Sequence, residues 1–244
     1  MAVCFPYYEI MTISDRFKSV SERVSEAAVA AGRNESEVRL IAVSKTHPPE
    51  IIREAIAAGA LVFGENKVQE GLSKIEEIGR DGVEWHLIGH LQKNKVRKAV
   101  QSFDVIQTVD SLRLAKRLDR IAGEELAKPL RVLAQVDLAS EQTKYGIGED
   151  SLTELAEYLS GAANLEFRGL MTIPPYFEET EDVRPYFARL RRIRDHLSEA
   201  GLFSDLPGEL SMGMSHDFAV AIEEGATMVR IGTAIFGERV RADL

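Results

Sequence analysis

Apolar residues recur along the chain in two patterns that alternate with each other. Short runs of Val, Ile and Leu, as in residues 38–44, indicate strands that are buried on both faces. Stretches with apolar residues three and four apart, such as Phe17, Val20 and Val24, indicate amphipathic helices. After a first helix over residues 15–31, strand and helix alternate along the rest of the chain. The pattern predicts strands over residues 38–44, 61–63, 84–88, 105–109, 131–136, 167–173, 209–212 and 228–231.

This alternation predicts a parallel sheet, and about eight strands is the number at which such a sheet closes into a barrel. The length of 244 residues also suits one barrel domain. The alternative, an open doubly wound sheet, usually carries a Gly-rich sequence after its first strand, where this chain has Lys-Thr-His-Pro-Pro at residues 45–49. We predict a single (β/α)8 TIM barrel over residues 14–244, with an extra N-terminal helix, preceded by a disordered or extended segment over residues 1–13.

The net charge, the cysteine count and the lack of long apolar stretches argue against several classes of protein. The net charge of -9 argues against a nucleic-acid-binding surface, and the basic run at residues 93–98 has the spacing of a solvated helix face. The single cysteine, Cys4, permits no internal disulfide and fits a reducing cytoplasm. No apolar stretch approaches the ~18 residues that span a membrane, and residues 1–10 lack the features of a signal peptide. We expect a cytoplasmic protein that binds neither nucleic acid nor membrane.

Lys45 directly follows the first predicted strand. Proteins with parallel sheets place their chemistry at the carboxyl ends of the strands. Burial disfavours the ammonium form, so an amine at this position could attack a carbonyl group near neutral pH. The alternative is a lysine that marks the strand end and reaches solvent.

The loops after the seventh and eighth strands predict an anion site. Residues 211–217 (SMGMSHD) open into a helix, and residues 230–233 (RIGT) again combine glycine with a hydroxyl group. Glycine lets the backbone approach an anion, and the first amides of a helix point toward it. The candidate donors are Ser211, Gly232 and Thr233 and the backbone amides of Met214 and Ser215. The alternative is that both segments are ordinary loops.

Arg230 interrupts an otherwise apolar strand, where a buried guanidinium requires a partner. A pyridine nitrogen could accept from it and would stay unprotonated beside a permanent cation. A salt bridge to a rim carboxylate such as Glu65 is the alternative.

Asn66, His86 and Met171 are the remaining candidates at the rim. His86 and His90 have the spacing of a metal-binding pair, but a strand places them on different faces, so we expect no metal site. We expect His86 to form a polar wall of the pocket, or to be a hydrogen-bonded histidine in a buried strand.

Several blocks of sequence together resemble the pyridoxal phosphate homeostasis protein family. They are AVSKT (42–46), FGENKVQE (63–70), WHLIGHLQKNK (85–95), GLMTIP (169–174), LSMGMS (210–215) and VRIGTAIFG (229–237). The resemblance implies a barrel similar to the amino-terminal domain of alanine racemase (PLP fold type III), with pyridoxal 5′-phosphate (PLP) held as a Schiff base on Lys45. It also implies that Arg230 meets the pyridine nitrogen and that Ser211, Gly232 and Thr233 hold the phosphate. Family members commonly carry an aromatic residue in place of Lys67.

The resemblance implies intracellular PLP homeostasis, in which the cofactor is buffered or delivered to PLP-dependent apoenzymes with little or no turnover. We therefore assign no catalytic residue, and we expect a monomer. The first alternative is a weak racemase or lyase acting through Lys45. Racemisation needs a second base, which alanine racemase takes from a separate domain not expected in the short stretch 240–244. Tyr145 is the best tyrosine candidate for that base, although we expect it to pack on the barrel rim. A Schiff-base aldolase for a phosphorylated sugar is the third possibility.

Overall fold

Eight parallel strands close into a barrel in chain order, and the eighth strand pairs with the first. The computed structural model describes residues 11–139 and 145–237. The strands are β1 (Arg39–Val43), β2 (Val62–Glu65), β3 (Glu84–Leu87), β4 (Val105–Val109), β5 (Leu130–Gln135), β6 (Leu165–Met171), β7 (Glu209–Ser211) and β8 (Met228–Ile231). The predicted barrel is confirmed.

Helices cover the outside of the barrel. They are α1 (Ile13–Ala30), α2 (Pro49–Ala57), α3 (Val68–Ile78), α4 (Val96–Ser102), α5 (Leu112–Glu125), α6 (Glu149–Gly161), α7 (Arg184–Glu199), α8 (Phe218–Glu223) and α9 (Thr233–Phe236). The extra helix α1 packs against α2, α8 and α9. Within the described ranges, no helix is both long enough and apolar enough to cross a bilayer.

The first helix begins at Ile13, two residues before the predicted start. Thr12 is its N-cap: the Thr12 hydroxyl accepts from the Asp15 amide at 3.1 Å, and the Asp15 carboxylate accepts from the Thr12 amide at 3.1 Å. Such a reciprocal cap satisfies two amides that would otherwise lack partners. The helix thus takes in residue 13 of the segment predicted to be disordered or extended, whereas residues 1–10 lie outside the described residues.

The alternation of side chains along each strand sorts residues between the barrel interior and the helix layer. In β1, Ile41 belongs to an interior cluster with Val105, Leu133, Met171 and Met228, whereas Ala42 belongs to the core between barrel and helices. Since strand side chains repeat every second residue, Val43 and Lys45 continue the interior row toward the carboxyl end.

Ion pairs close the opposite, amino-terminal end of the barrel. Glu84 accepts from Arg131 Nη1 at 2.9 Å and from Arg39 Nη1 at 3.4 Å, and Arg39 also pairs with Glu209. These four residues begin or nearly begin strands β1, β3, β5 and β7. Because chemistry in barrels lies at the other end, this cluster serves stability.

Candidate functional site

A cavity of about 380 Å³ opens at the carboxyl ends of the strands. Its volume falls within the roughly 300–1,000 Å³ that is usual for small-molecule sites. Seven of the predicted site residues line it, brought together from the loops after β1, β2 and β7 and from β8 and its loop: Lys45, Asn66, Met214, Ser215, Arg230, Gly232 and Thr233.

Lys45 follows β1 and is half-buried in the cavity wall. On the neighbouring strand, Arg230 pairs in register with Ile41, and Gly232 lies two residues further on. A side chain on Gly232 would come within 3.3 Å of the Val43 carbonyl oxygen, so a residue without Cβ lets the two loops approach closely. The lysine and the predicted anion loop therefore share one cavity.

The predicted anion-binding side of the cavity lies at the start of α9 and in the loop that leads into α8. Helix α9 begins at Thr233, and the first amides of any helix lack partners within it. At the other loop, the Met214 amide already donates to Asp217 Oδ1 at 2.6 Å. Burial raises the pKa of Asp217, although this amide acts in the opposite direction. The Met214 amide can therefore serve an external anion only when the Asp217 carboxylate releases it.

Arg230 is 4% exposed and both of its terminal nitrogens are engaged. Nη1 donates to Ser211 Oγ at 2.7 Å and Nη2 donates to the Thr172 carbonyl oxygen at 2.8 Å. Burial lowers the pKa of Arg230 to about 10, although the Asp217 charge opposes this, so the guanidinium remains a cation at neutral pH. The suggested salt bridge to Glu65 is not formed, because Glu65 pairs with Lys74 at 2.7 Å.

A continuous chain of hydrogen bonds leads from Arg230 down the barrel interior. Ser211 Oγ donates to Gln107 Oε1 at 2.6 Å, Gln107 Nε2 lies 2.7 Å from His86 Nδ1, and His86 Nε2 contacts Glu84. We call these residues the polar column: Arg230, Ser211, Gln107, His86 and Glu84. It connects the cavity with the ion pairs at the amino-terminal end.

The guanidinium group of Arg230 has no acceptor atom, and this determines which atoms donate along the polar column. Because Arg230 can only donate, the Ser211 hydroxyl must give its own proton to Gln107 Oε1. The Gln107 amide nitrogen then donates to His86 Nδ1, which leaves the ring proton on Nε2 facing Glu84. The fold therefore specifies a neutral His86.

Three predicted site residues do not line the cavity: Ser211, His86 and Met171. All three are fully buried. Met171 fills the barrel interior with Ile41, and the Ser211 hydroxyl is committed to Arg230 and Gln107. In the structure the Ser211 side chain supports Arg230 from below the cavity, and its role as an anion donor stays a prediction. Of the two interpretations of His86, the hydrogen-bonded buried histidine matches the structure.

Sequence reasoning missed several residues of the cavity wall. Ile88 and Ile173 lie two residues after His86 and Met171, and so occupy the next layer of the barrel. Strand alternation could have identified them. The loop residues His47, Tyr176 and His216 also line the cavity. The ring of His47 stacks on that of Phe236 with centroids 5.0 Å apart, and the centroids of Tyr176 and His216 are 5.5 Å apart. Periodicity carries no signal for such loop positions.

The remaining candidates lie outside the cavity wall. Tyr145 stacks on His90 with ring centroids 3.7 Å apart, which confirms the expectation of a rim aromatic. Lys67 is exposed and precedes α3. Among the described residues, no group of three or more His, Cys, Asp or Glu side chains could hold a metal ion.

The neutral state of His86 predicts how stability depends on pH. Burial lowers the pKa of His86 below its ordinary value of 6.5, although hydrogen bonding and charge from Glu84 act in the opposite direction. The unfolded chain therefore binds more protons as the pH falls below about 6.5, and the folded state loses up to about 1.4 kcal/mol per pH unit from this group. We expect His86→Gln to reduce the slope of unfolding free energy between about pH 6.5 and 5, measured by urea denaturation.

His196→Gln is the matched control, because His196 is exposed on α7 and meets water in both states. It should keep the wild-type slope. Glu84 does not confuse the comparison, since the hydrogen bond from His86 and the charge and hydrogen bond of Arg131 lower its pKa against the effect of burial, and its contribution is lost only at lower pH. Equal slopes in His86→Gln and wild type would show that the folded protein accepts a protonated His86.

Comparison with known proteins agrees with this geometry. The sequence profile of the alanine racemase N-terminal domain matches residues 20–240. A pyridoxal phosphate homeostasis protein from Aquifex aeolicus is 46% identical over 229 residues, which cover 94% of this chain and 99% of the relative. The chain belongs to the pyridoxal phosphate homeostasis protein family. The Escherichia coli member is also 46% identical, over 233 residues that cover 93% of this chain and 97% of the relative.

Solved structures place the family on the same barrel. The family member PipY of Synechococcus elongatus, solved with PLP bound, is 41% identical and superposes with a TM-score of 0.81, covering 93% of this chain and 100% of PipY. Alanine racemase from Corynebacterium glutamicum shares the fold, with a TM-score of 0.68 at 21% identity over 93% of this chain and 62% of the racemase. The family resemblance predicted from the sequence is confirmed.

Proposed function

We propose that this protein binds pyridoxal 5′-phosphate and acts in its homeostasis, buffering the cofactor or delivering it, with the cofactor held as a Schiff base on Lys45. The observation that carries this proposal is the convergence of a lysine, a buried arginine and two glycine-containing loops on one cavity. The names of the relatives and the PLP-bound structure of PipY support the same ligand.

The residues present fit this cofactor. Lys45 supplies an amine, and the loops with Ser215, Gly232 and Thr233 supply polar groups suited to a phosphate. Arg230 supplies a donor for the pyridine nitrogen. When bound, PLP brings an aldehyde that condenses with an amine and a ring that withdraws electrons. Asn66 completes the wall beside Lys45.

We propose little or no catalytic turnover. Arg230 remains a cation and can only donate, so it keeps a pyridine nitrogen unprotonated and the ring a weak electron sink. The alternative, a weak racemase or lyase, draws on other titratable cavity residues: His47, Tyr176 and His216. His216 Nε2 donates to the Glu178 carbonyl oxygen at 3.0 Å, so this nitrogen carries a proton and does not act as a base.

Spectroscopy and a stereochemical assay test this proposal together. Purified protein mixed with PLP should absorb near ~420 nm, and borohydride should remove that band and fix the cofactor covalently. Incubation with L-alanine or L-serine should leave their configuration unchanged. Rapid stereoinversion would establish the racemase instead, and a sugar-phosphate aldolase would show neither the band nor tight PLP binding.

The proposed setting is the cytoplasm, where a monomer would exchange PLP with PLP-dependent apoenzymes. The open mouth of the cavity supports such exchange, because Tyr176 at its edge is 75% exposed. The single cysteine suits a reducing compartment, and the net charge of -9 disfavours nucleic acid as a partner.

A further inference from the structure

A second lysine, which is buried, lies directly behind the turn that carries Lys45. Lys74 on α3 is 4% exposed, although neighbouring inward-facing positions of this helix carry Val68 and Ile75. Its Nζ lies 2.7 Å from each of three oxygens: Glu65 Oε1, Glu70 Oε1 and the Ser44 carbonyl. An ammonium group has three hydrogens, so all of its donors are used. We call Lys74, Glu65 and Glu70 the support cluster.

The support cluster holds the main chain on both sides of Lys45. On one side, Lys74 binds the Ser44 carbonyl, and the Ser44 hydroxyl donates to Glu65 Oε1 at 2.6 Å. On the other side, the Thr46 amide donates to Glu70 Oε1. Both residues that flank Lys45 are therefore tied to a single buried ammonium group.

The backbone beside Lys45 needs such support. Thr46 has a φ of 68° and is, among the described residues, the one non-glycine residue with a positive φ. Left-handed backbone is unfavourable for a β-branched residue and persists only where surrounding contacts impose it. Here the imposing contact is the bond from the Thr46 amide to Glu70.

We propose that the support cluster positions Lys45, by fixing the turn after β1 in the conformation that presents the amine to the cofactor aldehyde. This inference rests on the proposed function. Reaction between two bound groups requires contact distances of about 3–3.5 Å, and a displacement of about 1 Å can slow it by about 100-fold. Lys74 is not among the residues that line the cavity, so it acts through Lys45.

The alternative is that Lys74 only stabilises the packing of α3 on the barrel. The charge of Lys74 does not by itself decide between positioning Lys45 and stabilising the packing of α3. Burial raises the pKa of Glu65, although Lys74 and Ser44 act in the opposite direction. Glu65 can therefore take up a proton when the lysine is removed, and a Lys74→Met protein need not bury an unpaired anion at that carboxyl.

The experiment compares two phosphorylated ligands on the full chain. PLP reports the aldehyde-dependent step through its band near ~420 nm, whereas pyridoxine 5′-phosphate lacks the aldehyde and reports only ring and phosphate binding. We expect Lys74→Met to form the band about 10- to 100-fold more slowly than wild type while it retains affinity for pyridoxine 5′-phosphate. Without ligand, the Thr46 amide should exchange with solvent faster than in wild type.

Two further sets of variants keep the test decisive. Ile75→Ala, on the same helix, removes buried apolar packing without touching the Lys45 turn, and should lower thermal stability while the band forms at the wild-type rate. Glu70→Gln keeps an acceptor for the Thr46 amide, whereas Glu70→Ala removes it. We expect the glutamine variant to react faster than the alanine variant, and this pair decides the question if Lys74→Met does not fold.

The possible failures are distinguishable. If Lys74→Met and Glu70→Ala form the band as fast as Ile75→Ala, the support cluster only stabilises the fold and the inference is wrong. If wild type binds neither PLP nor pyridoxine 5′-phosphate, the proposed function itself is wrong. Equal loss of affinity for both ligands in the variants would also overturn the inference, because positioning of the amine affects only the aldehyde.

Discussion

Lys45→Ala should abolish the absorption band near ~420 nm without abolishing binding of phosphorylated pyridoxine compounds. The band requires a covalent bond between the cofactor aldehyde and an amine, and alanine offers none. The loops with Ser215, Gly232 and Thr233, which we propose hold the phosphate, remain, and each charge-assisted hydrogen bond there would be worth about 1.5–3 kcal/mol. Titration with PLP, followed by borohydride reduction and mass spectrometry, measures the covalent and non-covalent parts separately.

Lys45→Arg is the matched variant, because it keeps a cation in the cavity but has no nucleophilic amine at neutral pH. It should lose the band as completely as the alanine variant. Lys93→Ala, which removes an exposed lysine outside the cavity wall, should retain it. Should the band persist in Lys45→Ala, the peptide labelled after reduction would identify the lysine that actually carries the cofactor.

The sequence predicted the strands well because buried parallel strands are apolar throughout. The predicted bounds of β4 and β8 match the structure residue for residue, and those of β1 and β3 differ by one residue at one or both ends. The exceptions are β6, which lies two residues earlier than predicted at both ends, and β2, which continues to Glu65 although the prediction stopped at Phe63. Gly64 looks like a break in the sequence, but a side chain there would come within 2.9 Å of Ile88, so glycine is a packing requirement inside the strand.

Most of the predicted site residues in loops, together with Arg230 in β8, line the cavity, whereas three predicted residues in strands lie one layer below it. His86 and Met171 were expected at the rim, and Ser211 was expected in the anion site of the loop after the seventh strand. In the barrel, those positions form a layer below the cavity, and the wall is built two residues later, as Ile88 and Ile173 show. How far each strand extends toward the carboxyl end of the barrel depends on the register of its pairing with the neighbouring strands, which a single sequence does not reveal.

The polar column could not be derived from sequence either. Gln107 and Glu84 come from different strands and stand out only once the barrel closes around them. A buried glutamine in β4 is a signal in principle, because buried polar side chains require partners. Finding those partners requires knowledge of which residues share a layer. The column matters because it determines where Arg230 can point.

Arg230→Gln should have the second largest effect, on both stability and the bound cofactor. The shorter neutral side chain cannot serve the Ser211 hydroxyl and the Thr172 carbonyl together, both of which are buried. Each buried group left without a partner costs about 1–3 kcal/mol of unfolding free energy. The variant also removes the cation that would face the pyridine nitrogen, so we expect a shift of the absorption band and weaker PLP affinity.

Arg131→Gln separates these two effects. Arg131 also lies in the barrel and pairs with Glu84 at 2.9 Å, but at the amino-terminal end away from the cavity. Its loss should lower stability without changing the absorption of bound PLP. If Arg230→Gln likewise lost stability while keeping the wild-type spectrum and affinity, the guanidinium would serve only to anchor the polar column. A spectral change confined to Arg230→Gln would mean that the column exists to hold a permanent cation against the cofactor ring.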